Sequence, residues 1–149
     1  MKKAILTIDD APSPDFKNKV SILKEHQVPA VFFCTGSLIR KRKKDLVKAI
    51  QDGFILGNHS YDHYHFSKLT MKQCERQIKK ASILIDEVYK MAGVERPVKW
   101  FRFPYGDKGD GRMGSIFQQE TILGKTRKDT IQKILLDYGY SFGLTEWLR

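Results

Sequence analysis

The sequence predicts an α/β fold organised around a parallel sheet. Three observations lead there. Short apolar runs alternate with stretches whose apolar residues recur at steps of three and four, as strands alternate with amphipathic helices. One run, Ala30-Val31-Phe32-Phe33-Cys34, is apolar at every position, as in a strand covered on both faces. Polar clusters fall where the runs stop, and in parallel sheets chemistry collects at the carboxyl ends of the strands. The 149 residues suit a single domain, residues 1–149.

The elements follow in order. Lys3 to Ile8 is an apolar strand that stops at Asp9-Asp10, and Ala11-Pro12-Ser13-Pro14 is a turn. Asp15 to His26 is helical, with Phe16, Val20 and Leu23 on one face; His26 at its end is favoured by the helix dipole. The buried strand Ala30 to Cys34 is closed by Gly36. Lys44 to Gln51 is a second helix, with Leu46, Val47 and Ile50 inward and Gly53 as its stop. Phe54-Ile55-Leu56 is a third strand ending at Gly57-Asn58-His59. Thr70 and Gln73 form a capping-box pattern. Met71, Cys74, Ile78, Ala81, Ile85, Val88 and Ala92 then mark one continuous helical face, ended by Gly93. Trp100 to Phe103 is a fourth strand stopped by Pro104, and Asp107 to Lys125 a long loop. Thr126 to Asp137 is the last helix, with Ile131, Leu135 and Tyr138 on one face, and Tyr140-Ser141-Phe142 a fifth strand.

Composition excludes several classes. Hydrophobic residues are 41% of the chain, too many for disorder throughout. No apolar run approaches the roughly 18 residues of a membrane span. Cys34 and Cys74 read as buried thiols; without a CxxC pair they make neither a disulfide scaffold nor a cysteine zinc site. The start, Met1-Lys2-Lys3-Ala4-Ile5-Leu6, meets Asp9-Asp10 too soon for a secretory leader. The expected location is cytoplasmic for the chain as it stands, and secreted or cell-surface if a leader has been removed. Lys and Arg total 27 against 17 Asp and Glu, a net charge of +10. The densest run, Arg40-Lys41-Arg42-Lys43-Lys44, has no interleaved aromatics and reads as a solvated helix start. An acidic cell-surface polymer and DNA are the alternatives for an anionic partner.

Three strand ends carry the chemistry. At Thr7-Ile8-Asp9-Asp10, adjacent carboxylates on an extended backbone point to different sides, so one can hold a metal while the other acts as a base. At His59-Ser60-Tyr61-Asp62-His63, two histidines four apart can grip one ion, and His65 lies close by. Two imidazoles and a carboxylate leave a coordination position open for water. At Arg102-Phe103-Pro104-Tyr105-Gly106, the Arg can orient a carboxylate, and the turn can present backbone N–H groups to an oxyanion.

These motifs, in this order, resemble those of the polysaccharide deacetylases, the NodB-homology domain of carbohydrate esterase family four. Phe32-Phe33-Cys34-Thr35-Gly36 resembles that family's second strand and Gly57-Asn58-His59-Ser60 its third strand end, so the likeness runs from Lys3 to Gly143. It implies a distorted (β/α) barrel, here apparently truncated at the C-terminus. It implies a metal-dependent hydrolase that removes N- or O-acetyl groups from a chitin-like polymer, peptidoglycan or xylan. Carried over, Asp10, His59 and His63 are the metal ligands, with Zn2+ first and Co2+, Ni2+ or Mn2+ also suited. Asp9 is the base, Arg102 positions it, and the Tyr105 N–H is the oxyanion donor. Ser60 braces the loop, and Pro104, Tyr105 and Trp147 line the substrate groove.

The chain departs from the family pattern in two places. Ala11 stands where most members have Gly. Glu146-Trp147 only faintly echoes a late Asp/Trp motif, and nothing echoes the Leu-x-His motif that supplies the acid for the leaving amine. His65 would substitute only if its loop faced the metal; it reads rather as a bracing or surface histidine. Loss of that acid is expected to damage amide hydrolysis more than ester hydrolysis, because an alkoxide leaves more readily than an amide anion. A barrel short of its last strands has open edges, so a homodimer, marginal stability or a shortened chain is expected. Besides the deacetylase, two readings stand: a non-catalytic relative that holds metal and glycan or a partner without turnover, and a basic nucleic-acid-binding protein. Neither nucleic acid nor membrane is an expected partner.

Overall fold

The computed structural model describes residues 4–113 and 118–141. Its centre is a parallel sheet of β1 (Leu6–Ala11), β2 (Ala30–Cys34) and β3 (Ile55–Asn58), in that order. Helices α1 (Phe16–Glu25), α2 (Gly36–Ile39), α3 (Lys43–Gln51), α4 (Met71–Ala92) and α5 (Ile122–Asp137) complete the α/β alternation. Two isolated parallel bridges, Asn58 with Phe101 and Trp100 with Ser141, carry the sheet direction onward. The expected fourth strand is therefore a bridged segment, and the fifth is represented by Ser141, with Phe142 outside the described residues. Among the described residues β1 has a strand neighbour on one side only.

β2 is buried along its whole length, as its unbroken apolar run requires. Phe32 and Cys34 enter a core with Phe16, Leu46, Phe54, Leu56 and Ile85, and Val31 and Phe33 face the other way onto Trp100. The Phe32 ring meets Phe16 and Phe54 edge-on at 4.9 and 5.7 Å. A second core, of Phe66, Cys74, Ile78, Ile131, Leu135 and Tyr140, joins α4 to α5. The capping box at α4 is formed: Gln73 N–H donates to Thr70 Oγ1, and Thr70 N–H to Gln73 Oε1. Gly93 ends that helix in the left-handed region at φ 69°.

Three boundaries differ from the sequence reading, each for a local reason. β1 runs through Asp9-Asp10 to Ala11, because the strand absorbs them as a bulge: Ile8 pairs Phe32 and Ala11 pairs Cys34, so two residues oppose the single Phe33. Gly36 opens α2 instead of only closing β2. α5 begins at Ile122, capped by Thr121, whose hydroxyl accepts the Gly124 N–H at 3.0 Å. Its first turn leaves Ile122 and Leu123 exposed, so it shows no amphipathic pattern.

Asn58, fully buried, ties the sheet to what surrounds it. Its amide donates to the Ile78 carbonyl at 3.0 Å and the Tyr140 hydroxyl at 2.7 Å, and its Oδ1 accepts the Ser60 N–H at 2.8 Å. Asn58→Ala strands these groups in the interior. It should lower stability by about 3 kcal/mol in urea unfolding, several times the effect of an exposed polar truncation.

Candidate functional site

The bulge in β1 sends two neighbouring carboxylates to two different partners. Asp10 takes the left-handed conformation, φ 57°, and turns its carboxylate toward the histidines. Its Oδ1 lies 3.0 Å from His63 Nε2 and 3.6 Å from His59 Nε2. Asp9 goes instead to Arg102, whose guanidinium donates to Asp9 Oδ1 and Thr7 Oγ1, both at 2.9 Å. Arg102 also lies over the Phe33 ring, 4.3 Å from its centroid, which fixes the plane of the guanidinium.

The histidines come from the loop after β3. His59 N–H donates to the Cys34 carbonyl, and Gly36 and Ser37 donate to the carbonyls of Ser60 and Tyr61, so the loop is sewn to the end of β2. Ser60 and His63 both take positive φ, at 65° and 62°. Ser60 is buried, and its Oγ accepts the His63 N–H at 3.1 Å, which holds the turn that brings His63 over His59. Gln77 of α4 accepts the Tyr61 and Asp62 N–H groups at 3.0 and 2.7 Å and donates to the Asp62 carboxylate.

His59 Nδ1 lies 2.8 Å from the Arg102 carbonyl. Donation there assigns the proton to Nδ1 and leaves the Nε2 lone pair facing the cluster. Burial holds His59 below the ordinary imidazole value and His63 pushes the same way, outweighing the opposing pull of the Arg102 carbonyl, Asp9 and Asp10. The ligand atoms of Asp10, His59 and His63 all lie within 4.8 Å of one another, with the two Nε2 atoms 3.1 Å apart. Two imidazole nitrogens and one carboxylate oxygen converging on one point, with the outer nitrogen of one ring already engaged, fit a divalent transition metal.

The third strand end supplies a wall. Pro104–Gly106 form a 3-10 turn, with Pro104 buried and Tyr105 at φ 58°. Tyr105 is 53% exposed; its ring stacks on His65 at 3.8 Å and meets His63 edge-on at 4.8 Å. The sequence-derived residues Asp9, Asp10, His59, Ser60, His63, Arg102, Pro104 and Tyr105 thus come together. Trp147 lies outside the described residues. His26 stands apart, as the cap of α1.

Sequence reasoning missed Asn58, Gln77 and Asp107. Gln77 was detectable as a polar residue on the apolar face of α4, and Asp107 by the glycines at 109 and 111. Asp107 is fully buried and accepts Ser67 N–H and O–H and the N–H groups of Gly109 and Gly111. His65 Nδ1 lies 3.6 Å from it. Burial pushes the Asp107 carboxyl up, but these donors together hold it below the usual carboxylate value. The unfolded chain therefore takes up this proton at higher pH than the folded one. The stability it contributes is present above about pH 4 and falls away as pH drops through the lowered folded value. Asp107→Asn should lose about 2 kcal/mol at pH 7 and flatten that part of the acid limb, measured by urea denaturation between pH 2 and pH 7.

Comparison with known proteins agrees with this geometry. The chain is 35% identical over 102 residues to a chitooligosaccharide deacetylase of Sinorhizobium fredii, covering 68% of this chain and 46% of that protein. It is 28% identical over 127 residues to a peptidoglycan-N-acetylglucosamine deacetylase of Bacillus cereus, covering 85% of this chain and 44% of that protein. It thus spans less than half the length of either. Among solved structures, a mutant of a Bacillus anthracis family 4 carbohydrate esterase pseudoenzyme with restored activity superposes with a TM-score of 0.70 at 26% identity, covering 95% of this chain and 44% of that one. A family 4 carbohydrate esterase of Streptomyces lividans shares the fold, with a TM-score of 0.70 at 22% identity over 96% of this chain and 62% of that one. The polysaccharide deacetylase family pattern matches residues 1–119, and on that match the chain belongs to the polysaccharide deacetylase family.

Proposed function

We propose that the chain is a metal-dependent deacetylase that hydrolyses N- or O-acetyl groups on a polysaccharide. One observation carries the reading: an Arg-held carboxylate, Asp9, stands next in sequence to the carboxylate that converges with two histidines. The fold alone does not carry it, since one structural neighbour is described as a pseudoenzyme. Asp10, His59 and His63 would hold the ion, with Zn2+ the first expectation and Co2+, Ni2+ or Mn2+ suited to the same donors. Such an ion supplies a Lewis acid and lowers the pKa of a bound water from about 15.7 to about 7.

The remaining work falls to the chain. Asp9 accepts the proton of the attacking water. Arg102 fixes the direction of Asp9, and the same guanidinium nitrogen is held by its second hydrogen bond to Thr7. The same Arg102, through its carbonyl, orients His59. The Tyr105 N–H, set by the left-handed turn, serves as donor to the developing oxyanion. Pro104 and the half-exposed Tyr105 ring form the wall against which a sugar lies. The relatives named for chitooligosaccharide and peptidoglycan support a glycan substrate. The side of β1 that has no strand neighbour among the described residues supports pairing with a second copy, which sedimentation equilibrium tests.

Purified protein supplied with Zn2+ or Co2+ should release acetate from acetylated chitooligosaccharides or acetylated xylan. Asp9→Asn should reduce kcat by about 100- to 10,000-fold while ion binding measured by calorimetry persists. His63→Ala should abolish ion binding and activity together. One ion bound per chain with no acetate released from either substrate would instead identify a non-catalytic binding relative.

A further inference from the structure

The outer face of α4 is built against its own helix. Lys72, Arg76, Lys79 and Lys80 recur along one stripe opposite the buried face, and all four are exposed. Lys72 stands in the first turn, where the helix dipole disfavours a cation, and that turn holds no acidic residue. Lys72 and Arg76, and Arg76 and Lys80, are like charges four apart, the spacing at which they repel. Among the described residues none of the four pairs with a carboxylate. Glu75, the nearest acid in sequence, lines the same groove as the stripe and accepts a hydrogen bond from the Tyr138 hydroxyl. The acids further along the helix are engaged elsewhere, Asp86 by Arg96 and Glu87 by Lys43. A helix that breaks three local rules in one stripe has a use for the charge that stability does not supply.

The stripe lines a shallow groove of about 590 Å³. One lining residue, Lys80, touches the loop that carries the histidines: its ammonium lies 3.9 Å above the ring of Tyr61, between His59 and His63 in sequence. Tyr61 is covered by that contact, and among the described residues the groove lining holds no aromatic face on which a nucleic-acid base would stack.

We infer that the basic stripe of α4 binds a carboxylate-bearing polysaccharide strand and leads it toward the site after β3; that the strand is a glycan rests on the deacetylase reading. The carboxylates meet Lys72, Arg76 and Lys79, and the aliphatic stems of these residues with Ile83 lie along the sugar rings. Attraction of this kind is electrostatic and weakens as salt is raised.

The test measures affinity for polygalacturonate, with its methyl ester as the neutral counterpart and duplex DNA at equal charge concentration. Wild-type protein should bind polygalacturonate at low salt, bind it more weakly as salt rises, and not bind the ester. Lys72→Glu/Arg76→Glu/Lys79→Glu should weaken binding by about tenfold or more, while a matched reversal at Arg40, Lys41 and Lys44 changes it by less than about threefold. The stripe variant should melt close to wild type, because it exchanges one like-charge pair four apart for another while favouring the helix start and placing an acid at position 76 opposite Lys80. It should also release acetate from a short neutral acetylated oligosaccharide at the wild-type rate. No binding by wild type, no loss in the stripe variant, or equal loss in both variants overturns the inference. Tighter binding of DNA, lost in the stripe variant, overturns it in favour of a nucleic-acid surface. Binding that persists in a protein releasing no acetate leaves the stripe standing and removes the deacetylase reading.

Discussion

The site depends on one irregularity, the bulge that lets Asp9 and Asp10 oppose the single residue Phe33. In a regular strand, neighbours point to opposite faces, and one of the two carboxylates would enter the apolar layer of Val31, Phe33 and Trp100. The bulge and the left-handed Asp10 turn both outward at the carboxyl edge, yet toward different partners. Asp9 meets a cation and Asp10 meets two imidazoles, and the two tasks are separated by one peptide unit. Arg102 locks the arrangement from across the sheet, its side chain on Asp9 and its carbonyl on His59.

Strain collects at the same place. Of the six non-glycine residues with positive φ among the described residues, Asp10, Ser60, His63 and Tyr105 belong to the site. Each such conformation costs on the order of 1–3 kcal/mol and persists only where surrounding contacts over-determine it. Those contacts come from buried polar side chains that carry no chemistry. Asn58 holds the Ser60 N–H, Gln77 holds the next two N–H groups of the loop, and Asp107 ties the segment after His65 to the one after Tyr105. The apolar cores supply stability for the whole, and these three residues direct part of it into a fixed geometry at the strand ends.

Much of this was legible in the residues. The two-sided burial of β2 followed from its apolar run, and the start and stop of α4 from Thr70, Gln73 and Gly93. That one of the two Asp carboxylates would meet His59 and His63 followed from motifs lying at strand ends of a parallel sheet, and the choice of Asp10 came from the family resemblance. The bulge was not legible, because an Asp-Asp pair after an apolar run also marks a simple strand end. The early start of α5 was hidden because its first turn faces solvent with Ile122 and Leu123. The fourth strand was overstated: Trp100 to Phe103 has strand-like residues, but Phe101 and Phe103 are drawn toward Phe66 and one another by aromatic packing. Asn58, Gln77 and Asp107 show their importance only through partners distant in sequence.

The two thiols have a practical consequence. Cys34 is sealed in the central strand, and burial raises its thiol far above the ordinary value; Cys74 lies on the buried face of α4 and is pushed up to about 11. Neither reacts while its layer is closed, since the thiolate is the reactive form. A thiol-labelling reagent therefore acts as a pair of clocks. Modification of Cys34 times the opening of the sheet beneath the site, and modification of Cys74 times the lifting of α4 from Phe66 and Leu135. The order in which the two are labelled would tell whether the loop that carries His59 and His63 loosens with its sheet or with the helix that carries the basic stripe.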